Sequence, residues 1–231
     1  MKFHTKQFAI ISLAGAMFAG NVAAAPMIDL DYDGFAQGSR SGKLQNLETG
    51  TNYNVNAGMF SFTTSNAQGE SPIAWTGALD AFCIELDTNL QQQGVVSYEL
   101  QTADSYFNNA NLVSSIGQLY TGFQSSVTDT SSSTAFQLAL WEIVYELNDY
   151  GMSTGNFRSV GSFGDSRSKA DTWLADLSSQ TIDYDMYVLT SEASQDLLVF
   201  TPSSPVLVPE PGTLALLGLG LAGLAARRKK A

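Results

Sequence analysis

Cys83 is the only cysteine among 231 residues, and it sits in a strand-like run, Asp80-Ala-Phe-Cys-Ile-Glu-Leu-Asp87. A thiolate is a strong nucleophile, but a free cysteine with a pKa of about 8.5 holds little of it at neutral pH and relies on a neighbouring base. The only histidine is His4, inside what reads as an export segment, so a cysteine hydrolase would lack its usual base. A buried, inert cysteine would present the same local sequence. The second residue of interest is Gln137, in Thr134-Ala-Phe-Gln-Leu-Ala-Leu-Trp-Glu-Ile-Val-Tyr145, where helical spacing puts it on one face with Trp141 a turn later. Asp29-Leu-Asp-Tyr-Asp-Gly34 copies the opening of an EF-hand loop, but the position that should hold the bidentate glutamate is Arg40. An acidic first strand is the simpler account, with looser calcium binding left open. The sequence has no phosphate-cradling glycine loop and no zinc-spaced cluster, and no cofactor is expected.

The elements that must position these residues follow from hydrophobic period. Alternation of β-branched and aromatic residues predicts strands over Ile28–Phe35, Tyr53–Thr63, Ala78–Glu85, Val95–Gln101, Ile182–Thr190 and Asp196–Thr201. Phe136, Leu140, Val144 and Leu147 recur at the helical interval and predict a helix over Ala135–Asn148, opened by a Ser133/Thr134 cap. Two further helices are expected over Asn111–Tyr120 and Ser168–Leu177. The stretches Gln124–Ser133 and Asn148–Gly164, rich in Ser, Thr, Gly and Asn, read as loops bordering a binding surface. Strands, a central helical insertion and strands again imply an α+β fold around an antiparallel β-sheet or barrel.

Charge narrows the function. Between Pro26 and Ala226 five basic residues face 22 acidic ones, a formal charge of −17, which repels nucleic acid and anionic membrane surfaces. At the N-terminus, Lys2, His4 and Lys6 precede an apolar run from Phe8 to Ala19 and then Ala23-Ala24-Ala25, the three-part pattern of a cleavable signal peptide over residues 1–25. An uncleaved membrane anchor is the alternative. The body spans 26–201, a Pro/Ser linker 202–207, and the remainder, 208–231, is a tail: Val208-Pro-Glu-Pro-Gly212, the apolar stretch Thr213–Ala226, and Arg227-Arg-Lys-Lys230. That apolar stretch is shorter than the roughly 20 residues of a comfortable helical span, which suits transient anchoring in the inner membrane with the basic end held on the cytoplasmic side. A plain single-pass membrane protein is the other reading of the same segment.

The tail resembles the PEP-CTERM sorting signal of Gram-negative bacteria, in which a Pro-Glu-Pro motif, a short hydrophobic helix and a basic end occur in this order; Pro209, Glu210 and Pro211 match the motif residue for residue. The resemblance implies processing by an exosortase, a membrane transpeptidase-like enzyme, and delivery to the cell surface, outer membrane or extracellular polymer matrix. The body resembles the thioester (TQXA) domain of bacterial surface adhesins. Phe82-Cys83-Ile84 matches its aromatic-Cys-aliphatic strand and Gln137-Leu-Ala-Leu-Trp141 its Gln-x-Ala-aliphatic-Trp helix, with Phe136 standing where that family has Thr. A Tyr98-containing strand and a helical insertion between the two motifs fit the same layout. What the resemblance implies is an internal Cys83–Gln137 thioester, shielded from water by Phe82, Phe136 and Trp141. An amine or hydroxyl on a surface protein or polysaccharide would open it in a single covalent attachment and not in enzymatic turnover. Against this stands a noncovalent structural or binding component of the extracellular matrix that keeps the domain with Cys83 free.

Overall fold

The computed structural model describes residues 24–146 and 149–203. The expected signal peptide, but for its last two residues, and the sorting tail with Pro209, Glu210 and Pro211 lie outside the described residues, as do the helices expected there. Among the described residues no helix is long and apolar enough to cross a membrane.

Among the described residues, nine strands and four α-helices follow in the order β1 (Met27–Phe35), β2 (Arg40–Asn46), β3 (Thr51–Ala57), β4 (Phe60–Gln68), β5 (Ala78–Cys83), β6 (Val95–Thr102), α1 (Ala103–Phe107), α2 (Ala110–Phe123), α3 (Thr130–Tyr145), β7 (Phe157–Ser159), α4 (Ser166–Ala175), β8 (Tyr184–Thr190) and β9 (Leu197–Pro202). Six strands close an antiparallel barrel in the order β1-β4-β5-β9-β8-β6, and β3-β2-β7 form a separate three-stranded sheet. The architecture is α+β with an antiparallel barrel, as the element order implied.

Strand β1 shows how local pattern becomes barrel wall. Ile28 and Leu30 point inward and are buried, while Asp29, Asp31 and Asp33 alternate outward. The acidic run is therefore a strand and not a helical calcium loop. Asp29 accepts from Ser97 Oγ (2.5 Å) and Asn66 Nδ2 (2.8 Å), bonds that hold its pKa below the usual value, and Asp33 accepts from Thr63 Oγ1 (2.9 Å). No group of three or more metal-ligating side chains gathers among the described residues.

The structure corrects four readings. The single strand expected over Tyr53–Thr63 is two, β3 and β4, in different sheets. The break falls at Gly58, where a Cβ would lie 2.5 Å from the Gly38 carbonyl oxygen, so only a glycine lets the two backbones approach this closely. Strand β2 went unpredicted because Arg40-Ser-Gly-Lys-Leu-Gln-Asn46 holds one large apolar residue, Leu44; three-residue β7 carries too little pattern. Finally, α3 begins five residues before the expected start. Its cap is Asp129, which accepts from Ser132 N (2.7 Å) while Ser132 Oγ accepts from Asp129 N (3.0 Å), so the supposed Ser/Thr loop over 124–133 is a short 3-10 turn followed by the first turn of the helix. The other presumed loop, 148–164, contains β7.

Helix α3 is a core helix and not a surface one: every residue from Ser131 to Ile143 is buried. Its buried Glu142 accepts from Gly151 N (2.9 Å), and its second carboxyl oxygen, Oε2, meets no partner among the described residues. Burial first, then Glu146 and Asp171, push its pKa up to about 8.

Two consequences are measurable. Gly58→Ala forces a Cβ against backbone and should cost about 1–3 kcal/mol in urea denaturation, with an unchanged m value. For Glu142, the folded pKa lies above that of the unfolded chain, so the unfolded state releases the proton first and stability falls as pH rises from about 4.5 to about 8. Glu142→Gln should flatten that slope relative to the parent; parallel pH profiles of the two proteins would show that Glu142 ionises normally.

Candidate functional site

The barrel ladder is incomplete beside Cys83, and a side chain from α3 completes it. Strands β4 and β5 pair through Phe60 and Ala81, a register that would next set Cys83 opposite residue 58. At Gly58, however, the chain crosses between sheets, and the far side of Cys83 pairs with Leu197 of β9. Gln137 occupies the vacant side. Its Oε1 accepts from Cys83 N (3.0 Å) and its Nε2 donates to Cys83 O (2.7 Å), so one carboxamide serves as the missing peptide group. Both residues are 1% exposed, which leaves these two backbone groups no water to turn to.

What aims Gln137 is the start of its own helix. Ser133 Oγ accepts from Met59 N (2.8 Å) and donates to Gly38 O (3.2 Å), while Thr134 Oγ1 donates to Ala57 O (3.0 Å). These bonds pin α3 to the β3–β4 crossing, one turn before the glutamine. One turn beyond it stands Trp141, and another turn on, Tyr145 Oη accepts from Leu86 N (3.0 Å). Ser133, Gln137, Trp141 and Tyr145 thus recur every four residues, a stripe along the open side of the barrel that meets the chain at Gly38, Met59, Cys83 and Leu86 in turn.

The sulfur itself is enclosed. Cys83 Sγ donates to the Glu85 carbonyl (2.7 Å), and burial pushes the thiol pKa up to about 12. The Glu85 bond and the Trp141 indole pull it back partway, while the charges of Glu85 and Asp196 add to the rise. Trp141 Nε1 meets no acceptor at hydrogen-bond geometry among the described residues, yet lies close enough to the sulfur to favour a thiolate. Phe82 and Phe136 stack with ring centroids 4.3 Å apart, and Phe136 also meets Tyr120 and Trp173 edge-on. Tyr98 is buried in β6, its hydroxyl 3.5 Å from Gln195 O. The structure therefore brings Gln137 and Trp141 to Cys83, while the Phe82–Phe136 stack is buried on the other face of β5.

Sequence reasoning missed the acidic partners behind the sulfur. Asp196 N donates to Glu85 Oε2 (3.0 Å), and Asp196 accepts from Tyr106 Oη (2.9 Å) and Ser191 N (3.1 Å). Burial holds the Asp196 pKa above its usual value. No short-range signal links residues 85, 106 and 196. Tyr145 was legible, standing eight residues after Gln137 on the same helical stripe. On the outer side of Trp141 and Glu85 opens a cleft of about 460 Å³, which Tyr53, Asn54, Asp87 and Gln195 also line.

Comparison with known proteins adds two findings. The N-terminal domain of the Streptococcus pyogenes pilus tip adhesin Cpa is similar in structure over 63% of this chain and 84% of its own, at 12% identity and a TM-score of 0.41. No curated protein sequence matches the chain. Residues 207–229 match the family model described as the PEP-CTERM protein-sorting motif, the segment that carries Pro209, Glu210 and Pro211. With that match the chain takes its place among exported proteins that bear a PEP-CTERM sorting motif read by an exosortase.

Proposed function

We propose that the exported body is a single-use covalent attachment module that stores an acyl group as a Cys83–Gln137 thioester and delivers it at the cell surface or in the extracellular matrix. The observation that carries this reading is the grip of the Cys83 backbone on the carboxamide of Gln137. In thioester formation the sulfur attacks Gln137 Cδ, the C–N bond breaks, and the thiol proton leaves with Nε2 as ammonia. Negative charge gathers on Oε1 during the attack, and Cys83 N–H already donates to that oxygen at 3.0 Å. A thiol with a pKa near 12 supplies almost no thiolate at neutral pH, so the step depends on proximity. Groups held in reacting geometry reach effective molarities of about 10⁵ M or more. The burial of Cys83 and Gln137, with Trp141 beside the sulfur, keeps hydrolytic water away. An incoming amine or hydroxyl would then take the Gln137 acyl group, with its proton passing to the Cys83 sulfur as the C–S bond breaks.

The same burial supports a second reading, a noncovalent matrix component in which Gln137 simply satisfies the open ladder and Cys83 stays a thiol. Intact mass separates the two. The thioester form is lighter than the encoded chain by one ammonia, and methylamine converts it to a mass above that form by one methylamine; Cys83→Ala and Gln137→Ala should show neither change. A parent protein of unshifted mass overturns the covalent reading. In the thiol form Gln137→Ala bares two buried backbone groups, and denaturation should register a loss of about 2–6 kcal/mol, taking about 1–3 kcal/mol for each buried polar group left unpaired.

A further inference from the structure

We propose that the cleft beside Trp141 binds an uncharged glycan chain noncovalently, a role that does not require the thioester. Its wall is an amide ladder. Strand β3 is the edge of the three-stranded sheet, and its alternation turns Asn52, Asn54 and Asn56 outward on one face, with Asn89 and Gln92 joining them in the cleft. Asn56 is engaged with Ser41 Oγ (2.6 Å). The carboxamides of Asn52, Asn54, Asn89 and Gln92 have no hydrogen-bond partner among the described residues, so each offers an acceptor oxygen and two donor hydrogens to a ligand. Paired hydroxyls on a sugar ring present the complementary donors and acceptors at a similar spacing.

Three further features select the class of ligand. No lysine or arginine lines the cleft, whereas Glu85 and Asp87 do, and the body over 26–201, with five basic and 21 acidic residues, carries a formal charge of −16; an acidic polysaccharide is therefore repelled. Tyr53, half-buried and braced by its hydroxyl on Asp87 Oδ1 (3.1 Å), supplies aromatic surface for the apolar face of a sugar ring. The volume, about 460 Å³, falls within the roughly 300–1,000 Å³ typical of sites for small ligands, enough for a short stretch of a longer polymer. Such binding would also hold ring hydroxyls beside the wall that covers Cys83.

The test uses the full chain carrying Cys83→Ala, which removes any covalent contribution, in native affinity gels containing dextran, galactomannan or hydroxyethylcellulose. At least one of these neutral polymers should retard the protein, alginate should not, and adding Asn52→Ala with Asn54→Ala should weaken retardation at least tenfold. These asparagines are exposed, so the double variant should keep the parental melting temperature. Free migration in all three neutral polymers, equal retardation of the double variant, or retardation by alginate overturns the proposal. Glycan binding by the Cys83→Ala protein stands apart from the mass measurement on Cys83, so the failure of one leaves the other intact.

Discussion

The carboxamide of Gln137 closing on the backbone of Cys83 is the constraint around which the domain is arranged. A six-stranded barrel has to satisfy every inward-facing backbone group, yet β4 leaves the ladder before β5 ends. Gly58 allows that departure, because only a residue without a Cβ can pass the Gly38 carbonyl. The departure in turn creates both the three-stranded sheet and an open edge. Helix α3 repairs the edge with side chains in place of a strand, and this explains why so polar a helix start is wholly buried.

The electrostatics at this repair point are unusual for an exported protein with one cysteine. Burial, together with Glu85 and Asp196, stabilises the neutral thiol, while the unpartnered indole N–H of Trp141 waits beside the sulfur. The site is thus poor at making a free thiolate. Oxygen Oε1 of Gln137 is polarised by the backbone N–H of Cys83, which the open ladder leaves without another partner.

Most strands of the barrel wall were legible from alternation. Ile28 and Leu30 in β1, and Val96, Tyr98 and Leu100 in β6, declare an inner face every second residue. Pattern reading failed where the fold changes sheets: the apolar residues of Tyr53–Thr63 stand at odd positions through Met59 and at even positions from Phe60, a slip of phase beside Gly58 that the single-strand reading passed over. It failed again at α3, whose serines looked like a loop. The hydroxyls of Ser133 and Thr134 satisfy Met59, Gly38 and Ala57 in the tertiary structure, and the burial that results hides the amphipathic stripe by which a surface helix is recognised.

The sorting motif was written in the sequence alone, because a Pro-Glu-Pro tail is read by other machinery as linear text. The types of residue able to do chemistry were also plain: one cysteine, no histidine in the body, one glutamine a helical turn from a tryptophan. Only the tertiary structure decided that Gln137 reaches Cys83 across 54 residues, that Glu85 and Asp196 stand behind the sulfur, and that an asparagine ladder opens beside it. The physical reason is that strand pairing and helix docking set these distances through long-range closure, and the local preferences of the chain carry no information about which distant backbone will be left unpaired.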